Sequence, residues 1–158
     1  MQKSDLPIWA SVAEIISAIA VVFSLLYVGY EINRNTEILD SDQNLAIFDA
    51  MRSWETTVIV DDELADLYVR GPAEYEKFSK AEQLQYRYFV TQWVGIWEQA
   101  HDGYHGGLLN TETWTSWNSS FLPDISQAVV VWPEISFYFS DEFQNHMASE
   151  IEASFQKQ

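Results

Sequence analysis

A long apolar stretch near the amino terminus dominates the hydrophobic pattern of the chain. Residues 6–30 have the sequence LPIWASVAEIISAIAVVFSLLYVGY, in which Glu14 is the one charged residue. A helix that spans a bilayer needs about 20 mainly apolar residues. Trp9 lies near one end and Tyr27 and Tyr30 lie near the other, as is typical of aromatic residues at the two membrane interfaces. The pattern therefore predicts a transmembrane helix over residues 6–30.

Small residues recur along this predicted helix at steps of three and four positions. That spacing places them on one helix face, and small residues let helix backbones approach closely in lipid. Glu14 lies beside this face, where a carboxylate must reach the headgroups, find a polar partner or face a polar interior. We therefore expect a helix–helix interface of a homo-oligomer, made by Ala10, Ala13, Glu14, Ser17, Ala20 and Ser24.

Helical periodicity resumes after the apolar stretch, although polar residues such as Asn33 and Thr36 weaken it. Apolar residues then recur on one face, so we expect the first helix to continue to about residue 57. That face consists of Ile47, Phe48, Met51, Trp54 and Val58. The next helix is expected over residues 62–70, because acidic residues begin it and the pair Gly71-Pro72 ends it.

The third predicted helix has the strongest local signal. Ser79-Lys-Ala-Glu82 is a capping box, in which the serine and the glutamate each bond the other's backbone N–H. Behind it, an apolar and aromatic stripe at helical spacing runs from Phe89 to Tyr104. This stripe predicts that the third helix forms the centre of the core.

The rest of the chain also favours helices. We expect Asn110, Asp124 and Ser140 to cap three further helices, the second of which runs through Val131. Three short stretches could form strands, at residues 58–60, 129–131 and 137–139, but nothing pairs them as a hairpin. The predicted fold class is all-α, with an N-terminal transmembrane helix that continues into a small helical-bundle domain of residues 31–158.

Composition and charge exclude several classes of protein. Apolar residues make up 47% of the chain, which is enough for a core, and 24 acidic against 8 basic residues give a net charge of −16. Such a chain is repelled by nucleic acid. The absence of cysteine excludes a disulfide scaffold, a thiolate metal site and a cysteine nucleophile.

One constellation of residues has a spacing that is found in metal sites. Glu98-Gln-Ala-His101 matches the Glu-x-x-His motif of di-iron bundles, but such a site needs a second motif, and the glutamate before His146 has a different spacing. We therefore expect no metal and no cofactor, and a Glu98–His101 hydrogen bond instead. Glu98, His101 and His105 remain candidates for a mononuclear site, provided that Gly103 leaves the helix intact. No catalytic residue is predicted, and enzymatic activity stays open.

Three segments resemble a widespread group of uncharacterised bacterial single-pass membrane proteins. They are residues 13–36, AEIISAIAVVFSLLYVGYEINRNT, residues 97–114, WEQAHDGYHGGLLNTETW, and residues 139–143, FSDEF. The resemblance implies the same architecture of an N-terminal membrane helix and a helical domain, and it implies no particular activity.

These observations together predict a membrane-anchored helical module for interaction or assembly that self-associates in the inner cell membrane. Its expected partners are the lipid bilayer, further copies of the chain and an unknown membrane protein. Two alternatives remain: a homo-oligomeric channel or transporter-like protein with Glu14 on a polar path, and a metal- or ligand-binding enzyme centred on Glu98 and His101. Lys3 and Arg34 on the two flanks nearly balance, so the positive-inside rule leaves the orientation open. We favour the cytoplasmic side for the domain.

Overall fold

Every regular element of the protein is helical over the residues that the structure describes. The computed structural model describes the backbone of residues 6–156 and the side chains of residues 9–156. Its six α-helices are α1 (Leu6–Val60), α2 (Asp62–Glu74), α3 (Lys80–His105), α4 (Thr111–Phe121), α5 (Ile125–Ile135) and α6 (Asp141–Gln156). Short 3-10 turns occupy Tyr75–Lys77, Leu122–Asp124 and Ser136–Tyr138. The all-α prediction is confirmed.

Helix α1 continues through the polar segment that weakens its periodicity. Asn33 Nδ2 donates a hydrogen bond of 3.0 Å to Glu37 Oε1, and Thr36 Oγ1 donates one of 3.0 Å to the Ile32 carbonyl. These polar side chains are thus bonded within the helix, one turn away, and they do not interrupt it. The helix ends at Val60, and the strand-like residues 58–60 form its last turn.

Contacts divide the chain into two units, one that ends at Leu39 and one that begins at Asp40. In the first unit every side chain from Trp9 to Tyr30 is exposed. Among the described residues, α1 is the one helix that is long and apolar enough to cross a membrane by length and composition. The boundary predicted at residue 30 marks the end of the apolar stretch and stays a prediction.

The second unit is built around α3, as the aromatic stripe predicts. Helix α3 contacts α2, α4, α5 and α6. The largest fully buried side chains of this unit are Trp93, Trp97, Tyr86, Phe121, Phe143 and Ile47. From α1, Ile47 and Trp54 enter the core, and the indole Nε1 of Trp54 donates a hydrogen bond of 3.0 Å to the Phe89 carbonyl. Phe48, which we expect on the same face, is exposed and lies beneath the guanidinium of Arg52.

Helix α2 passes through the Gly-Pro pair that we expect to end it. It extends to Glu74, so the predicted end at residue 70 is wrong. Gly71 is buried, and a β-carbon there would overlap the Tyr86 ring. The glycine therefore makes room for a neighbouring helix, and it does not stop its own.

The Ser79 capping box forms as predicted, and so do two of the three caps predicted for the later helices, those of Asn110 and Ser140. The capping box of Ser79 and Glu82 begins α3, and Asn110 Oδ1 accepts the Thr113 N–H at 2.9 Å. Ser140 Oγ accepts the Phe143 N–H at 3.3 Å. Asp124 makes no such bond, because it ends a 3-10 turn that leads directly into α5, and α5 continues past Val131 to Ile135.

Candidate functional site

The three histidines of the chain lie together, although they come from two helices. His101 and His105 are one turn apart on α3, with their ring centroids 4.3 Å from each other. His146 on α6 brings its ring centroid to 5.2 Å from that of His101. Packing of α6 against the end of α3 therefore gathers these imidazoles into one cluster.

A carboxylate from α6 completes a group with metal-ligand spacing. Glu142 lies in the first turn of α6, and its Oε1 is 3.3 Å from His105 Nδ1. One ligand atom from each of His101, His105 and Glu142 lies within 4.8 Å of the other two. His101 is buried, whereas His105 and Glu142 are exposed. The inner end of the group therefore lies inside the protein, and its outer side is open to solvent. We call these three residues the His-His-Glu group.

The buried member of this group is held in position by its neighbours. His101 Nδ1 lies 3.1 Å from Asp102 Oδ1, and its ring packs edge-on against Trp114 and Phe143. A proton on Nδ1 that bonds this carboxylate leaves the lone pair on Nε2. Carboxylate contacts of this kind orient imidazoles that bind metals.

Glu98 has a different role from the one that its spacing predicts. Its Oε1 accepts a hydrogen bond of 2.7 Å from the backbone N–H of Ser140, the residue before α6. Glu98 therefore links α3 to the start of α6, and the predicted hydrogen bond to His101 is replaced by this one. Because Glu142 is two residues further on, the same bond helps to place Glu142 beside His105.

Gly103 leaves α3 intact, which is the condition that the sequence sets for a metal site. The helix runs without a break to His105. Gly103 is buried, and a β-carbon there would lie 3.2 Å from Leu109. The glycine is thus used for close packing of the turn after α3, and both histidines keep their helical spacing.

His146 forms a polar network on the inner side of the cluster. Its Nε2 lies 3.0 Å from Asn118 Oδ1, which also accepts a hydrogen bond of 2.8 Å from Trp97 Nε1. Asn118 Nδ2 donates to Glu150 Oε1 at 3.2 Å. Burial lowers the pKa of His146 below its ordinary value of 6.5 and so favours its neutral form.

The six residues predicted at a helix–helix interface are exposed on α1. This holds for Ala10, Ala13, Glu14, Ser17, Ala20 and Ser24. Because α1 is helical throughout this stretch, the five small residues share one side of it, with Glu14 at the edge. Lys3, which enters the prediction of orientation, lies outside the described residues.

The sequence pattern does not indicate Glu142 as a partner of His101 and His105. The spacing of the two histidines is visible in the sequence, but Glu142 belongs to a different helix and reaches them through tertiary packing. The one sequence signal is its place after the Ser140 cap, in the first turn of α6.

Comparisons with known proteins leave the chain without an assigned family. No protein-family model matches it, and no curated protein or solved structure matches it significantly.

Proposed function

We propose that this protein is a membrane-anchored helical module for interaction or assembly, which self-associates through its N-terminal helix. One observation carries the proposal: the side chains from Trp9 to Tyr30 are all exposed, and nearly all of them are apolar. Soluble monomers rarely expose contiguous apolar surfaces of this extent, and such surfaces mark membrane or protein contacts. A bilayer covers this helix on all sides, whereas a groove on another protein covers one face.

The length of the exposed stretch supports a bilayer as the covering medium. Trp9 and Tyr30 are 21 positions apart in α1, which corresponds to about 32 Å along a helix. The hydrocarbon core of a bilayer is about 30 Å thick, and tryptophan and tyrosine favour its two interfaces. The second unit buries a core of large apolar side chains and carries most of the acidic residues, so it has the properties of a domain in water.

Self-association is proposed from the side of α1 that carries the small residues. Leucine or isoleucine at these positions would suit a helix that contacts lipid alone, whereas close approach of two helices requires small side chains. Glu14 lies beside this side of the helix, where a neighbouring copy supplies polar partners or a path to the headgroups.

Membrane anchoring is tested by extraction of the full-length protein. Membranes that contain the protein are washed with alkaline carbonate, and we expect the chain to stay in the membrane pellet. Full-length protein that is released by carbonate and is monodisperse without detergent contradicts the anchor.

Self-association is tested separately with two matched pairs of leucine substitutions. Ser17→Leu with Ala20→Leu fills the small-residue side, whereas Ala18→Leu with Gly29→Leu adds bulk roughly 120–140° around the helix. Both pairs raise hydrophobicity, so insertion is preserved. Cross-linking and mass photometry in detergent should show fewer oligomers for the first pair and unchanged oligomers for the second. Equal oligomers in all three proteins contradict this interface.

The variant Glu14→Gln distinguishes an anchor from a polar path. It should leave the oligomer nearly unchanged if the carboxylate reaches the headgroups, and it should alter assembly strongly if the carboxylate lies between helices. The same variant in proteoliposomes tests the channel alternative, because a path lined by Glu14 would lose ion flux without losing assembly.

A further inference from the structure

We propose that His101, His105 and Glu142 form a binding site for one first-row divalent transition-metal ion of the zinc class. The site goes beyond the proposed function, since membrane anchoring neither requires it nor implies it. One ligand atom from each of the three residues lies within 4.8 Å of the others. Two imidazoles and one carboxylate are a ligand set that suits zinc and its neighbours, and it does not suit magnesium or calcium.

The distances fit a small tetrahedral ion. Zinc binds imidazole nitrogen at about 2.0–2.1 Å and carboxylate oxygen at about 2.0–2.2 Å, so two tetrahedral ligands lie about 3.3 Å apart. His105 Nδ1 and Glu142 Oε1 are already 3.3 Å apart. No spacing in the group exceeds 4.8 Å, so each must shorten by at most about 1.5 Å to reach that value. His105 and Glu142 can make this change by side-chain rotation, because both are exposed on the outer side.

The fold positions each of the three ligands. His101 is buried and faces Asp102 through Nδ1, an arrangement that orients metal-binding imidazoles. His105 follows one turn later on α3, and histidines four positions apart lie on one helix face. Glu142 is placed by the start of α6, which the hydrogen bond from the Ser140 N–H to Glu98 holds against α3. The site therefore has one fixed ligand and two that can close on an ion.

Three protein ligands leave a fourth coordination position for water. The outer side of the group is open, since the side chains of His105 and Glu142 are 46% and 66% exposed. Zinc sites with three protein ligands and a bound water are typical of catalytic centres, whereas structural sites are closed by four. The proposed ion also joins the end of α3 to the start of α6, so it should stabilise the domain.

The test is a metal titration of untagged full-length protein in detergent, after treatment with a chelator. The acidic surface attracts all cations, so excess Mg²⁺ is kept present to saturate weak sites. Calorimetry with Zn²⁺ and visible absorption with Co²⁺ should each show one equivalent bound. Glu142→Gln and His105→Gln should lower the affinity by a factor on the order of 10 or more, since even supporting residues of metal sites contribute that much.

Asp141→Asn is the matched control, because it removes one charge from the same turn of α6 and removes none of the proposed ligands. It should bind both ions like the wild type. Both ligand substitutions are at exposed positions, and far-ultraviolet circular dichroism checks that the variants fold. A wild type without saturable binding of Zn²⁺, or equal affinity in the wild type, the control and the ligand variants, overturns the proposal.

Thermal unfolding provides a second measurement that does not depend on the calorimetry. An ion that binds the folded chain alone raises the melting temperature. Zn²⁺ should therefore raise it by the same amount in the wild type and in Asp141→Asn, and by clearly less in Glu142→Gln at the same Zn²⁺ concentration. A rise of the same size in all three proteins would place the ion elsewhere and overturn the proposal.

Discussion

The two units of the chain treat the same residue types in opposite ways. Trp9 in the first unit is 72% exposed, whereas Trp97 in the second is fully buried and stacks on Phe121. The indole Nε1 of Trp97 donates to Asn118. Both units are helical, so secondary structure does not distinguish them. The difference lies in what covers the apolar side chains: in the second unit other helices cover them, and in the first the proposed covering is lipid.

The largest expected effect on stability is the difference between replacing a tryptophan in the second unit and replacing one in the first. Trp97→Ala should lower the stability of the domain by about 3–5 kcal/mol, because a large aromatic residue is lost from a packed core. Trp9→Ala should leave the unfolding of the domain unchanged, because its side chain is exposed. Near-ultraviolet circular dichroism of the full-length chain in detergent, recorded on heating, measures both. Equal losses of stability would show that the two units do not differ in this way.

Glycine-to-alanine substitutions test the same difference between the two units with a single added β-carbon. Gly71→Ala should destabilise the domain by about 1–3 kcal/mol, because the added carbon overlaps the buried Tyr86 ring. Gly95→Ala in α3 and Gly29→Ala in α1 have open space around the new carbon. Gly95→Ala should stabilise the domain by up to about 1 kcal/mol through helix propensity, and Gly29→Ala should not alter its melting. The prediction fails if Gly71→Ala melts like Gly95→Ala.

Two tyrosines whose hydroxyl groups are buried test whether such groups stabilise the core through their hydrogen-bond partners. Tyr86 donates a hydrogen bond of 2.6 Å to Gln127 Oε1, so Tyr86→Phe should cost about 1–3 kcal/mol by leaving the buried amide without that donor. The Tyr68 hydroxyl is buried without a hydrogen-bond partner among residues 9–156. Burial raises the pKa of both phenols. Tyr68→Phe should be neutral or stabilising by up to about 1 kcal/mol. Urea unfolding of both variants gives the comparison, and a greater loss for Tyr68→Phe would contradict it.

The smallest expected effect is a pH dependence from the capping box of α3. Hydrogen bonds from the side chain and backbone of Ser79 lower the pKa of Glu82 below its ordinary value of 4.5. A carboxyl group with a lowered folded-state pKa stabilises the fold above its unfolded value, and this contribution is lost as the pH falls through the folded value. Wild type should therefore melt above Glu82→Gln at neutral pH, and the gap should close below pH 4.5.

The exposed Glu152 on α6 provides the control for that measurement. Glu152→Gln removes the same charge far from the N-terminus of α6. The difference in melting temperature between this variant and the wild type should therefore not close below pH 4.5. A constant gap for Glu82→Gln at all pH values would contradict the role of the capping box.

Much of the helical architecture is predictable from short stretches of sequence. The capping box at Ser79 and the Asn110 cap form as their sequences predict, because each cap is made within one turn of the chain. The aromatic stripe correctly marks α3 as the centre of the core. Gly71-Pro72 leads to a wrong prediction of the end of α2. A glycine that ends a helix cannot be distinguished in sequence from a glycine that makes room for a neighbouring ring.

The sequence by itself determined the helical class, the apolar stretch of α1, the acidic composition and the spacing of His101 and His105. These properties depend on composition and on periodicity along the chain. Tertiary structure alone decided that Glu142 joins the two histidines and that Glu98 bonds the start of α6. The physical reason is that local periodicity orients a side chain around its own helix, whereas the packing of α6 on α3 decides which side chain of another helix it meets.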